Sequence, residues 1–329
     1  MKCKIGIVGG SGYIGFSLAK ILKNKYEVKL LDIKNPPMDI KGNIEYNYCD
    51  ITKPEEIRSN FKDINLVIHT AIVQIPLINE KKKLGYQVNV LGTQNICDEV
   101  EKNHNIRGMI LTGTWHTIGE KELRGIIDEE FGFRPDKVED RARLYALSKM
   151  AQESITRFHD EMSDKVFGII RMGTVIGEGM PEKTAANIFI EQGLKGGPIT
   201  PYRHSMYRPM LYVDIRDICI AFEKYIEKIN SNEIEKNKSS LANIVNVYYP
   251  VPITILELAQ YIGDSIIDIT NGSIKPKIKI QDMGIPPQFT ENDRFNIKVN
   301  IDKTRNFLHL NILKNPLESI YEIIKLKLK

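Results

Sequence analysis

Tyr145 and Lys149 stand four residues apart in Leu144-Tyr145-Ala146-Leu147-Ser148-Lys149. On a helix, that spacing puts both side chains on one face. An ammonium near a phenol favours the phenolate and lowers its pKa from about 10 toward neutrality. A phenol tuned in this way can take or give the proton on a substrate oxygen while a hydride moves to or from the carbon. Thr114 follows the apolar run Gly108-Met109-Ile110-Leu111-Thr112. Hydroxyls at the carboxyl end of a strand face a cofactor cleft, so Thr114 is expected to hold that oxygen and Thr112 to line the cofactor. At the other end of the chain, Lys4-Ile5-Gly6-Ile7-Val8 runs into Gly9-Gly10-Ser11-Gly12-Tyr13-Ile14-Gly15. An apolar strand, a turn with Gly9, Gly12 and Gly15, and a helical pattern are the order a pyrophosphate site needs. A second strand ends in Asp32, placed to accept both ribose hydroxyls and to repel a 2′-phosphate, which favours NAD over NADP.

The elements that position these residues alternate. Strands are expected at Lys4–Val8, Val28–Asp32, Ile44–Asn47, Leu66–Thr70, Gly108–Thr112 and Phe167–Met172, and helices at Gly12–Lys25, Pro54–Phe61, Gly85–Asn103 and Tyr145–Met162. That alternation predicts an α/β fold, a Rossmann-type doubly wound parallel sheet, with ligands beyond the carboxyl ends of the strands. At those ends stand Asp50 and Ile51, where an acidic side chain can meet an adenine amino group, and Thr70 and Ala71, which leave room for the cofactor. Asn89 opens the next helix and is grouped with them, to orient a backbone carbonyl or a water; for it and for His69 a structural role is the alternative. Tyr145 and Lys149 are also expected to touch the cofactor.

Composition excludes several classes. With 46 Lys+Arg against 42 Asp+Glu, the net charge of +4 is small and spread along the chain, so nucleic-acid binding is not indicated. Cys3, Cys49, Cys97 and Cys219 are far apart and show no metal spacing, which suits reduced thiols in the cytoplasm. No apolar run approaches the length of a membrane span, and the N-terminus enters a strand without a signal peptide.

Together these residues resemble the extended short-chain dehydrogenase/reductase superfamily, in its branch of NAD-dependent nucleotide-sugar epimerases and dehydratases; the general likeness is to UDP-glucose 4-epimerases. Gly9, Gly12 and Gly15 match the family's cofactor turn. Thr114, five residues before Gly119, matches its catalytic Ser/Thr, and Tyr145 and Lys149 match its Tyr-x-x-x-Lys. Arg171 to Gly177 and Arg208 to Asp214 are similar to two further family segments, the second implying a phosphate role for Arg208. Departures fall on the substrate side. Trp115-His116 stands where the family's dehydratases carry Asp-Glu, which argues against dehydration; Thr174 replaces a sugar-nucleotide Asn, and Ile118 a Tyr. His116, two residues past Thr114, is a candidate acid/base or substrate ligand, with a packed loop histidine as the alternative.

The resemblance implies two domains: residues 1–176 binding NAD, with 209–249 returning to them, and a smaller α/β C-terminal lobe of 177–208 and 250–329 for the substrate. Thr174, Arg208 and Arg294 are its expected substrate contacts, beside Thr114 and His116. A helix opened by Thr254 with Glu257 three residues on fits a capping box. Ile274–Ile280 is expected as an edge strand, and Glu227–Ser240 as a solvated loop. The expected activity is NAD-dependent 4-epimerization of a UDP-hexose through a transient 4-keto sugar, in a homodimer. The alternatives are a dehydrogenase or reductase of a nucleotide sugar or other alcohol and, third, a non-catalytic NAD-binding protein.

Overall fold

The computed structural model describes residues 2–37, 42, 44–234, 239 and 241–328. The chain divides into two units: Met1–Ile118, Gly132–Arg171 and Cys219–Asn246 form the first, and Gly119–Phe131, Met172–Ile218 and Val247–Lys329 the second. The expected boundaries differ at residues 119–131, 172–176, 209–218 and 247–249, which fall in the second unit. Short ladders explain this. Tyr212–Asp214 pairs in parallel with Thr174–Ile176, and Ile297–Val299 with Gly125–Ile127, so these segments find their partners there.

The first unit is built on seven strands: β1 (Lys4–Val8), β2 (Glu27–Asp32), β3 (Ile44–Tyr48), β4 (Leu66–His69), β5 (Gly108–Thr114), β6 (Val166–Met172) and β7 (Ile244–Val247). Their order across the sheet is β7-β6-β5-β4-β1-β2-β3. β1 pairs in parallel with both β2 and β4, Val8 lying opposite Leu31 and His69. The chain therefore winds outward from β1 to β3 and returns on the other side of β1. A crevice opens at such a reversal, beyond the carboxyl ends of the strands. Strands covered on both faces need continuous apolar runs, and Ile5, Ile7, Leu30, Leu31, Leu66, Val67, Ile68, Ile110 and Leu111 are all buried. One core cluster joins Val8, Leu31, Ile51, Phe61, Ile96, Cys97, Met109 and Phe167.

Helices α1 (Tyr13–Leu22), α2 (Pro54–Asn60), α3 (Thr93–Lys102) and α4 (Arg143–Met162) belong to this unit. The expected single helix Gly85–Asn103 is instead three pieces: α-helical Lys82–Tyr86, a π-helical stretch Gln87–Gly92, and α3. A π turn absorbs an extra residue and rotates the helical turns beyond it. Here it carries Asn89 and ends at Gly92, where an added Cβ would lie 2.6 Å from Ile51 Cδ1.

In the second unit, the helices Ala185–Leu194, Ile255–Ile269 and Pro316–Lys327 accompany the short ladders. The capping box is present: Thr254 Oγ1 accepts from the Glu257 N–H, and Glu257 accepts from the Thr254 N–H at 2.8 Å. The helix Ile215–Asn230 starts directly after the strand Tyr212–Asp214. Ile274–Ile280 forms no strand. It meets its neighbour through isolated bridges, Ile199 with Ile278 and Tyr202 with Gln281, and Pro276 has no N–H for a continuous ladder. The helix Ile215–Asn230 runs into the expected loop Glu227–Ser240, of which residues 235–238 and 240 lie outside the described residues. No helix among the described residues is long and apolar enough to cross a membrane.

Candidate active site

The turn after β1 is shaped by what its glycines exclude. Gly9 has φ +76°, and its N–H donates to Leu31 O at 2.8 Å. A Cβ there would sit 2.5 Å from Ala71 N and 2.8 Å from Thr70 Oγ1, so Thr70 and Ala71 close directly over the turn. A Cβ on Gly15 would fall 2.6 Å from Gly9 O, which is why α1 can lie so near the strand end. Gly12 is different: its Cβ would meet only Gly9 O, at 3.3 Å, and otherwise open space. No side chain caps α1 at Gly12. The helix N-terminus, including Tyr13, Ile14 and Gly15, thus presents backbone and dipole to an anion that approaches the open side. Asp32 ends β2 beside the turn. Its Oδ2 accepts from Ser11 N and its Oδ1 from Lys34 N, each at 3.0 Å. Both carboxylate oxygens are thereby oriented, and each retains a lone pair for a hydroxyl. This cradle and carboxylate fit the diphosphate and ribose of a dinucleotide.

Three expected cofactor residues serve the frame. Asp50 Oδ1 accepts from the Thr52 N–H and hydroxyl, and the Ile51 side chain is buried in the core cluster. Asn89 is fully committed: Oδ1 accepts from Val73 N at 2.7 Å, and Nδ2 donates to Val73 O and to Ser148 Oγ. It orients a backbone carbonyl, one of its two expected roles, and ties that loop to α4.

At the end of β5 the residues expected to handle the proton come together. Thr114 Oγ1 accepts from the His116 N–H at 3.3 Å and is close enough to the Tyr145 phenol to lower its pKa. The Thr114 hydroxyl has one proton to give to an oxygen placed beside Tyr145. Burial pushes the Tyr145 phenol up to about 12, against a lowering by Thr114. Burial pushes the Lys149 ammonium down to about 7, against a raising by Glu153. The expectation that Lys149 depresses the Tyr145 phenol therefore needs correction. In the chain by itself, Lys149 Nζ donates to Thr112 O at 2.8 Å, and desolvation dominates both groups. The His116 ring stands edge-on to Tyr145, centroids 6.3 Å apart, and packs against buried Trp115 at 4.6 Å.

Sequence reasoning missed the polar cluster behind these groups. Thr112 Oγ1 donates to His69 O, which ties the strand end that receives Lys149 to β4. His69 is completely buried, with Nε2 2.9 Å from Thr93 Oγ1. Thr93 donates to Asn89 O, and the Gln152 amide nitrogen lies 3.3 Å from the same His69 Nε2. Its Nδ1 is buried with no hydrogen-bond partner. Burial and nearby Lys149 push the imidazole down to about 3. The folded chain therefore keeps His69 neutral where the unfolded chain protonates it. Its contribution is fully present above about pH 6.5 and is lost as pH falls toward 3, at about 1.4 kcal/mol per unit. The melting temperature of His69→Gln is expected to fall less steeply with acid than that of the parent over this window. Parallel curves would sink the assignment.

The second unit holds the remaining candidates, each described within it. Thr174 lies opposite Tyr212, its N–H donating to Leu211 O at 2.7 Å. Arg208 is buried, its N–H donating to Ser205 O at 3.0 Å. Arg294 is ion-paired with Glu257, the capping-box residue, and lies over the Phe295 ring.

The family model described as "NAD dependent epimerase/dehydratase family" matches residues 5–239. A putative UDP-glucose 4-epimerase of Methanocaldococcus jannaschii is 30% identical over 219 residues, 63% of this chain and 68% of that protein. The chain spans about half the length of other curated relatives it matches, 52% and 51%. Among solved structures, UDP-glucose 4-epimerase of Thermotoga maritima with UDP-glucose superposes with a TM-score of 0.77, at 18% identity, over 99% of this chain and 100% of that one. A UDP-glucuronic acid 4-epimerase mutant from Bacillus cereus, with a fluorinated UDP-sugar and NAD, gives 0.77 at 18% identity over 98% and 99%. At these identities the superpositions establish the fold.

Proposed function

Because the chain belongs to the NAD dependent epimerase/dehydratase family, we propose that it is an NAD-dependent nucleotide-sugar epimerase that inverts C4 of a UDP-hexose through a transient 4-keto sugar. The observation that carries this reading is Tyr145 beside Thr114 with Lys149 one turn along α4, in the same unit as the glycine cradle. Gly9, Gly12, Gly15 and Asp32 hold the dinucleotide, with Thr70, Ala71 and Thr112 beside them. Tyr13, Ile14, Asp50, Ile51 and Asn89 complete that set, the last three through the frame. NAD, when bound, supplies the hydride acceptor and donor. The chain's own residues handle one proton: Tyr145 takes it from the C4 hydroxyl and returns it, and Thr114 donates to the same oxygen throughout. Thr174, Arg208 and His116 contact the substrate. Arg294 does so only by leaving Glu257, so it ranks last.

We propose a homodimer on the α3–α4 side. Leu91, Leu147, Phe158 and Met162 are 45, 42, 58 and 67% exposed there, and light scattering of a monomer at micromolar concentration would sink it. Four free cysteines suit a cytoplasmic setting.

Proton NMR of the protein with UDP-, GDP- and dTDP-hexoses and NAD tests the activity. A C4 epimer at equilibrium without accumulated NADH is the expected result. Stoichiometric NADH would assign the dehydrogenase alternative instead.

A further inference from the structure

Glu153 lies one turn beyond Lys149 on the same face of α4 and is buried. Arg171 of β6, also buried, grips it as a fork: Nε donates to the two carboxylate oxygens at 3.2 and 3.1 Å, and Nη2 to Oε1 at 2.6 Å. The Phe133 ring lies 5.9 Å from the guanidinium carbon, and Arg157 Nη1 reaches Glu153 Oε1 at 3.9 Å. We propose that the buried Arg171–Glu153 pair is a positioning element of the catalytic helix and sets whether Lys149 carries its charge. The inference rests on the reading of Lys149 as the cation beside Tyr145.

The coupling is electrostatic. A buried ammonium favours its neutral form, and a fixed carboxylate nearby favours the charged one. A carboxylate taken out of water needs a cation paired with it, and the Arg171 fork supplies one to Glu153. The groups facing Lys149 are His69 from β4, the Thr112 carbonyl from β5, Tyr145, Glu153 and Arg157 on α4, and Arg171 from β6 behind Glu153. Glu153 is the one anion among these. Its raising effect on Lys149, opposed to burial, agrees with this arrangement.

The test needs neither substrate nor turnover. The full chain is labelled with ¹³Cε-lysine and titrated by NMR, the Lys149 signal being the one lost in Lys149→Met. The parent midpoint is expected at about 7. In Glu153→Gln the ratio of charged to neutral Lys149 at a given pH is expected to fall at least tenfold, a midpoint lower by about one unit or more. In Glu153→Gln with Arg171→Gln the guanidinium charge is gone as well as the carboxylate, and the midpoint should lie between those of the single variant and the parent. An unmoved midpoint in folded Glu153→Gln overturns the proposal. If that variant does not fold, the double variant decides, and a midpoint at or above the parent's overturns it. A chain that titrates as expected but turns over no nucleotide sugar upholds this inference while removing the epimerase reading.

Discussion

Tyr145→Phe is expected to lower turnover of the nucleotide sugar roughly 100- to 10,000-fold, the range of a positioned acid–base group, while leaving the fold and NAD binding in place. The substitution removes one oxygen from a half-buried ring. It strands no partner, because Thr114 Oγ1 still accepts from the His116 N–H. What it removes is the phenol that stands beside Thr114. The measurement is the initial rate of C4 epimer formation by NMR, with NAD retention read from absorbance after gel filtration. Activity within tenfold of the parent would transfer the proton to another group. His116, edge-on to the same ring, would be the first to replace next.

Gly9→Ala and Gly12→Ala are expected to fail in different ways. At Gly9 the backbone has φ +76°, and the new Cβ would meet the backbone of Ala71 at 2.5 Å. The left-handed conformation costs about 1–2 kcal/mol and the overlap about 1–3. The sum, about 2–5 kcal/mol, lowers the melting temperature by roughly 5–15 °C. At Gly12 the backbone is extended, with φ −75° and ψ 168°, and the methyl group points into open space. Gly12→Ala should therefore melt within a few degrees of the parent without cofactor, yet bind NAD at least tenfold more weakly, because the methyl occupies the phosphate's place. Thermal melts and NAD titration separate the two effects. Unimpaired NAD binding in Gly12→Ala would remove the cradle from the cofactor site.

Both sets of residues are legible in the sequence. The Gly9/Gly12/Gly15 spacing, the strand that leads into it and the acidic end of β2 are local patterns, and so is the Tyr145–Lys149 helical spacing. Local patterns survive folding because neighbours in sequence remain neighbours in space. The capping box at Thr254 and Glu257 is readable for the same reason. The break in the helix expected at Gly85–Asn103 is not. Its π turn is set by Asn89 reaching Val73 and by Ile51 packing on Gly92, contacts from other elements.

Residue types and spacing alone determined the class of fold, the glycine turn after β1 and the Tyr145–Lys149 pair proposed to handle the proton. Tertiary structure alone decided the state of that pair. Burial raises Tyr145 and lowers Lys149, and the strength of that effect depends on which strands close around them. The fork between Arg171 and Glu153 joins β6 to α4, and Arg294 spends its charge on Glu257. Neither pairing has a signature in sequence. A charge's partner is fixed by the packing of elements distant along the chain, and the cost of keeping it ionised by how much water that packing excludes.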